Sequence, residues 1–214
     1  PTMTPNRCTP RRGQSELISA MLLIAVTLAI ALAAYGYFIT RAASETEAQN
    51  IKVAIASAKA KLLISTDFHY KPAANLDTYY VSLRSISDHT YTFFFTVVAM
   101  QKSGEYYMVT ATDIATVYKM VPENGVYVES LLSPSYLVPP SMVYLEPYTP
   151  LNSQVASNLE IYNVTATGLP GETGCEVLLK LDVVAPAQGS PTLVVLTLVG
   201  NTFYVVDTYT LSGG

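Results

Sequence analysis

Residues 11–40 read RRGQSELISAMLLIAVTLAIALAAYGYFIT, and how this stretch is understood decides the fold. Twenty-four consecutive residues, Leu17 to Thr40, carry no charge. A run of about 20 apolar residues matches the hydrocarbon thickness of a bilayer. From Gln14 to Ser65 there is no proline and a single glycine, Gly36, in a background of Ala, Leu, Ile, Glu and Lys. The spacing therefore predicts a continuous helix over 14–65, since nothing interrupts the backbone ladder and most residues favour it. At about 1.5 Å per residue such a helix is on the order of 75 Å long, more than twice the roughly 30 Å of a bilayer core.

The two halves of this helix differ. Residues 17–40 are apolar on every face, whereas 41–64 keep a stripe at Ala48, Ile51, Ile55, Ala58 and Leu62, spaced three, four, three and four. Glu45, Glu47, Lys52, Lys59 and Lys61 fall on the other faces. An amphipathic helix of this kind buries one side, either on its own downstream domain or on neighbouring copies.

After a transition at Thr66–Asn75 the hydrophobic period changes from helical to two, and β-branched and aromatic residues dominate. Strands are expected at 78–86, 90–100, 106–112, 115–121, 126–132, 141–146, 159–167, 175–184, 192–199 and 202–211. Gln101–Glu105, Pro122–Gly125 and Gly200–Asn201 supply the Gly and Asn that tight hairpins require. Short strands with hairpin turns and no interleaved helices argue for an antiparallel, immunoglobulin-like sandwich over 66–214. The segment 133–154 holds Pro134, Pro139, Pro140, Pro147 and Pro150 with Tyr136, Tyr144 and Tyr148, and reads as an extended loop outside the sheet interior, wrapping its own domain or meeting a neighbour. The fold class is thus α+β: a basic leader at 1–13, a long helix at 14–65 and a β-sandwich.

Composition excludes several functions. Arg7, Arg11 and Arg12 all precede the apolar run, and the rest of the chain has nine basic against sixteen acidic residues, a net −7. From Lys71 onward five basic residues face twelve acidic ones, which leaves no electrostatic footprint for nucleic acid. The bias of Arg toward the near side of the run holds the leader in the cytoplasm and puts 41–214 outside. Cys8 and Cys175 lie on opposite sides of the Gly13–Gln14 bond, and Cys175 opens an apolar strand as a small buried hydrophobe. His69 and His89 stand twenty positions apart with no second ligand at a helical or turn spacing, so no metal site and no acid–base centre is expected. No phosphate loop or nucleophile elbow occurs, and Asp88 and Asp113 read as turn or strand-end caps. No enzyme activity and no cofactor is expected. Asn163-Val164-Thr165 is an N-glycosylation sequon inside an expected strand.

An ordinary secretory signal is cut after its apolar core. Here the small residue that invites cleavage, Gly13, comes before it, in the string Arg11-Arg12-Gly13-Gln14-Ser15-Glu16. This layout, over about residues 7–64, resembles the class III signal peptides of type IV pilins and archaeal flagellins. Bacterial pilins usually carry Phe first and Glu fifth after the cut; Gln14 first and Glu16 third look closer to the archaeal members, which commonly end in a β-rich domain. The resemblance implies cleavage after Gly13 by a prepilin-type peptidase and extraction from the membrane by an assembly ATPase and platform. It further implies a homopolymer whose core holds Leu22, Ala25, Val26, Ala29, Ile30 and Ala33, forming an adhesive extracellular pilus or, alternatively, an archaellum. Glu16 would then meet the new α-amine of Gln14 in its own first turn or in a neighbour, or simply hydrate among headgroups. Two other readings stay open: a membrane-anchored surface protein that never polymerises, and a tethered binding module.

Overall fold

A computed structural model describes residues 12–103 and 106–212, with side chains from residue 18 onward. The chain is α+β: one long apolar helix followed by an all-β domain. It divides into two compact units, Pro1–Gln49 and Asn50–Gly214. The described part of the first unit is helix throughout, the leading portion of α1 (Arg12–Lys61).

The second unit begins with the last turns of α1, where the amphipathic stripe lies as its spacing predicts. Ile51 is buried, Ile55 and Ala58 are half-buried, and Lys52 and Val53 face solvent. Two ion pairs fasten these turns, Lys59 to Asp207 and Lys61 to Asp88, each at 3.2 Å. The final carbonyl of the helix, that of Lys61, accepts the Ile86 N–H at 2.9 Å, so a group that helix ends leave without an intrahelical partner is closed by the sheet.

One expected boundary is corrected here. Helix is already present at Arg12, the first described residue and ahead of the expected Gln14, and it ends at Lys61 rather than Ser65. The strand β1 (Leu62–Ala73) follows without a linker. Leu62 continues the apolar spacing of the helix, which is why it reads as helical; in the fold Leu62 and Ile64 alternate as strand residues and pack against the main core. The β-branched pair Ile64 and Thr66 favours that extended state.

The remaining strands are β2 (Leu76–Ser85), β3 (Thr90–Ser103), β4 (Tyr106–Ala111), β5 (Ala115–Glu123), β6 (Val126–Leu131), β7 (Tyr136–Val138), β8 (Val143–Glu146), β9 (Thr149–Pro150), β10 (Asn152–Ser153), β11 (Leu159–Thr167), β12 (Cys175–Val184), β13 (Ser190–Val199) and β14 (Thr202–Thr210). All ten expected strands are present, β11 and β12 with the expected limits. One sheet has the order β1-β2-β12-β5-β6; the other runs β10-β4-β3-β13-β14-β8-β9, with β11 on β3 and β7 on β11. Pairing is antiparallel apart from two short parallel contacts, β10 with β4 and β14 with β8.

The sheets face each other across a core built from the inward positions of both: Val81, Leu83, Leu179 and Leu181 from one, Phe93, Phe95, Leu193 and Val195 from the other. Period-two alternation produces this directly, and β12 shows it plainly, Val177, Leu179, Leu181 and Val183 being buried while Glu176 and Val184 are exposed. A second apolar cluster lies on the far side of the larger sheet, where Val98, Val194, Leu196 and Phe203 meet Val143, Leu151 and Leu159. The proline- and tyrosine-rich segment supplies that cover, Tyr136 packing its ring on Phe203 and Phe94. It wraps its own domain.

Candidate assembly surface

In α1 every described residue from Ile18 to Glu47 is exposed. Thirteen of them are large and apolar, Leu22, Val26 and Ile30 among them at 62%, 49% and 63% exposure. Burying such side chains is worth roughly 1.5–3 kcal/mol each, so the segment forgoes on the order of 20–40 kcal/mol in water. That exceeds the roughly 5–15 kcal/mol by which whole domains are stable. This surface has to be covered by lipid or by protein, and Ile18–Lys61 contains a segment long and apolar enough to cross a membrane.

Its relief is ordered by the sequence. Leu22, Val26 and Ile30 recur every four residues and form a bulky ridge; Ala25, Ala29 and Ala33 recur at the same interval and form a shallow row beside it. Ridges and grooves along the i, i+4 rows are the elements by which helices interlock. Two threonine hydroxyls of the run are satisfied within the helix itself. Thr27 Oγ1 donates to the carbonyls of Leu23 and Ile24, both at 2.9 Å, and Thr40 Oγ1 to that of Gly36 at 2.8 Å. A hydroxyl bonded in this way makes no demand on water, which suits a dry surrounding. Just past the run, Arg41 and Glu45 pair at 2.9 Å, one turn apart.

Of the residues expected at the processing site, Arg11 lies outside the described residues, as does Cys8. Arg12, Gly13, Gln14 and Glu16 belong to the backbone of α1, with side chains outside the description. The Gly13–Gln14 bond therefore lies in helical backbone.

In the sandwich, Asn163 sits on the exposed face of β11, its Oδ1 accepting a hydrogen bond from Ser135 Oγ at 3.0 Å. The sequon hydroxyl, Thr165 Oγ1, is 2.9 Å from Thr92 Oγ1 on β3. Cys175 is buried, which pushes its thiol up from the ordinary value. Among the described residues no three His, Cys, Asp or Glu side chains converge on a metal-sized site. His69 pairs with Asp77 at 3.2 Å and stacks on Tyr79, while His89 Nδ1 lies 3.3 Å from the Glu172 carbonyl, so the fold does not bring the histidines together. Asp88 receives Lys61 and bonds Ser85, a turn-holding role.

A cleft of 490 Å³ lies beside β5 and β6 and is lined by Asp67, Ser82, Lys119, Pro122, Tyr127 and Glu176. Asp67 is bonded to Ser65 and Ser82, and Lys119 donates to the Thr165 carbonyl, so its charged groups serve the fold. One cluster that sequence reading missed is Lys180, only 12% exposed, bonded to Glu129 at 2.9 Å, 3.4 Å from Asp182 and lying 5.0 Å from the Tyr118 ring centre. Lys180 and Glu129 are joined across β5, so only the strand order reveals them. Neither the protein-family models nor the curated proteins contain a match to this chain.

Proposed function

We propose that this chain is the structural subunit of an extracellular filament of the type IV pilin kind, closest to the archaeal members, and that its task is adhesion. The observation that carries this is the uncovered apolar surface of α1, too large to remain in water and relieved as matching ridge and row. Before assembly the surface is covered by lipid, with the leader in the cytoplasm. A prepilin-type peptidase cuts after Gly13, and an ATPase and platform supply the work of extraction, because moving aliphatic side chains from lipid to a protein interior yields little by itself.

Copies then pack through Leu22, Ala25, Val26, Ala29, Ile30 and Ala33. A head-to-tail contact that does not close on itself generates a helical polymer, and no catalysis by the chain is required. The sandwich supplies the outer surface, and a glycan on Asn163 would shield it. Because Thr165 is already bonded in the folded strand, that glycan is added before β11 pairs with β3.

The same helix supports a second reading, a single-pass anchor that stays in lipid, and within the filament reading an archaellum subunit competes with an adhesive pilin. Terminal sequencing and electron microscopy of native material separate anchor from filament. The expected result is a first residue at Gln14 in fibres that vanish when Ala29→Arg puts a charge in the core. Intact Arg11 and Arg12 in assembled fibres, or unchanged fibres from the variant, would overturn the reading.

A further inference from the structure

The hairpin of β5 and β6 leaves one sheet edge open. Its turn residues Asn124 and Gly125 have φ of 51° and 81°, the type I′ conformation that matches strand twist, so Glu123 and Val126 close the hairpin as a hydrogen-bonded pair. At the other end the Leu132 N–H donates to the Val117 carbonyl at 2.9 Å. Bonded and non-bonded pairs alternate along an antiparallel ladder. The register therefore makes Val126, Val128 and Ser130 the residues bonded to β5. The N–H and C=O groups of Tyr127, Glu129 and Leu131 point the other way, where no further strand of the sheet follows among the described residues.

The two edges of this sheet are built differently. At β1 the edge is blunted by two register shifts and by Lys71 and Pro72, devices that stop a foreign strand from adding. At β6 none of them is present: there is no Lys, no Pro and no register shift, and all six residues are exposed. Its one charge, Glu129, is matched by Lys180 at 2.9 Å.

We propose that β6 is an interaction surface for β6 of a second copy of this chain, the two strands pairing antiparallel about Val128. The outward groups restrict the register. Centring on Glu129 would set two carboxylates directly opposite each other, which is unfavourable. Centring on Tyr127 would leave Leu131 past the partner hairpin with no strand to meet. Centring on Val128 sets Tyr127 of each copy opposite Glu129 of the other, phenol to carboxylate, with the two Val128 side chains adjacent. A two-fold contact closes on itself. The contact does not depend on α1.

The test uses the full chain, in mild detergent and as assembled material, with Cys8→Ser so that the buried Cys175 is the other thiol. On oxidation Val128→Cys is expected to give a disulfide-linked dimer, and Leu131→Cys, which faces Gly125 of the second copy, is expected to give none. Val128→Lys, which places two ammonium groups face to face, should dissociate the pair in sedimentation while Val128→Thr retains it. An unlinked Val128→Cys chain, including one whose edge is occupied by some other peptide, would overturn the proposal, as would equal linkage from Leu131→Cys. Electron microscopy of the same material reports helix packing separately. Fibres without linkage at 128 remove the edge contact and leave the filament reading standing; linkage at 128 without fibres does the reverse.

Discussion

At the scale of single residues, several groups in the sandwich hold their protons more tightly folded than unfolded. Burial raises Tyr162, and the bond its hydroxyl donates to Glu160 at 2.9 Å adds to the effect. Burial likewise raises Tyr91 and Tyr79. At Lys180 burial opposes the charge, but the hydrogen bond to Glu129 and the charges of Asp182 and Glu129 outweigh it and lift the ammonium above its usual value. A folded-state pKa above the unfolded one contributes stability that is complete below the unfolded value and is lost as pH rises toward the folded one. With unfolded Cys near about 8.5 and unfolded Tyr and Lys near about 10, the stability should begin to fall above about pH 8.5 through the buried Cys175 and more steeply above about pH 10. Denaturant midpoints across that range check it, and Tyr162→Phe should make the decline shallower. An unchanged alkaline slope in that variant would show that Tyr162 ionises alike in both states.

At the scale of elements, the helix and the strands were legible to different degrees. The ten strands with clear alternation were readable because a half-buried strand writes its two faces into the sequence, as Val177, Leu179, Leu181 and Val183 do against Glu176, Lys180 and Asp182. β1 was not, because Leu62 fits the helical stripe as well as the strand it joins, and no proline or glycine marks the change before Pro72. β7, β9 and β10 are two or three residues long and sit among prolines, too short to carry a period. The ridge of Leu22, Val26 and Ile30 was legible; the open edge at β6 was not, since being an edge is a property of strand order and not of Val126–Leu131 alone. The docking of the last helical turns gives a direct test. Ile51 is 7% exposed and Val53 67%, two residues apart on one helix. Ile51→Ala should cost about 2–4 kcal/mol, in the range for truncated core side chains, and Val53→Ala well under about 1. Comparable losses in thermal unfolding would mean that Ile51 is not packed.

At the scale of the whole molecule, the second unit owns its core. The two apolar clusters lie entirely within Leu62–Leu211, and none of their members comes from the exposed run. A chain shortened to residues 50–214 is therefore expected to be soluble without detergent and to unfold in one cooperative transition, whereas the full chain needs detergent, lipid or partners. Aggregation of the shortened chain, or a transition without cooperativity, would show that the first unit contributes to the core after all. Any self-association that survives the truncation belongs to the sandwich and should disappear with Val128→Lys.

The junction at Lys61 and Leu62 bears on how such a molecule takes load. Helix passes into strand with no slack between them, and Lys61 is tied on both its carbonyl and its ammonium, to Ile86 and Asp88. A pull on Lys61 thus passes straight into the first rung of a twelve-residue strand laddered to β2, with no linker to take it up. In the proposed fibre, that single peptide joint is the place to loosen the tie between helix and sandwich without touching either apolar cluster.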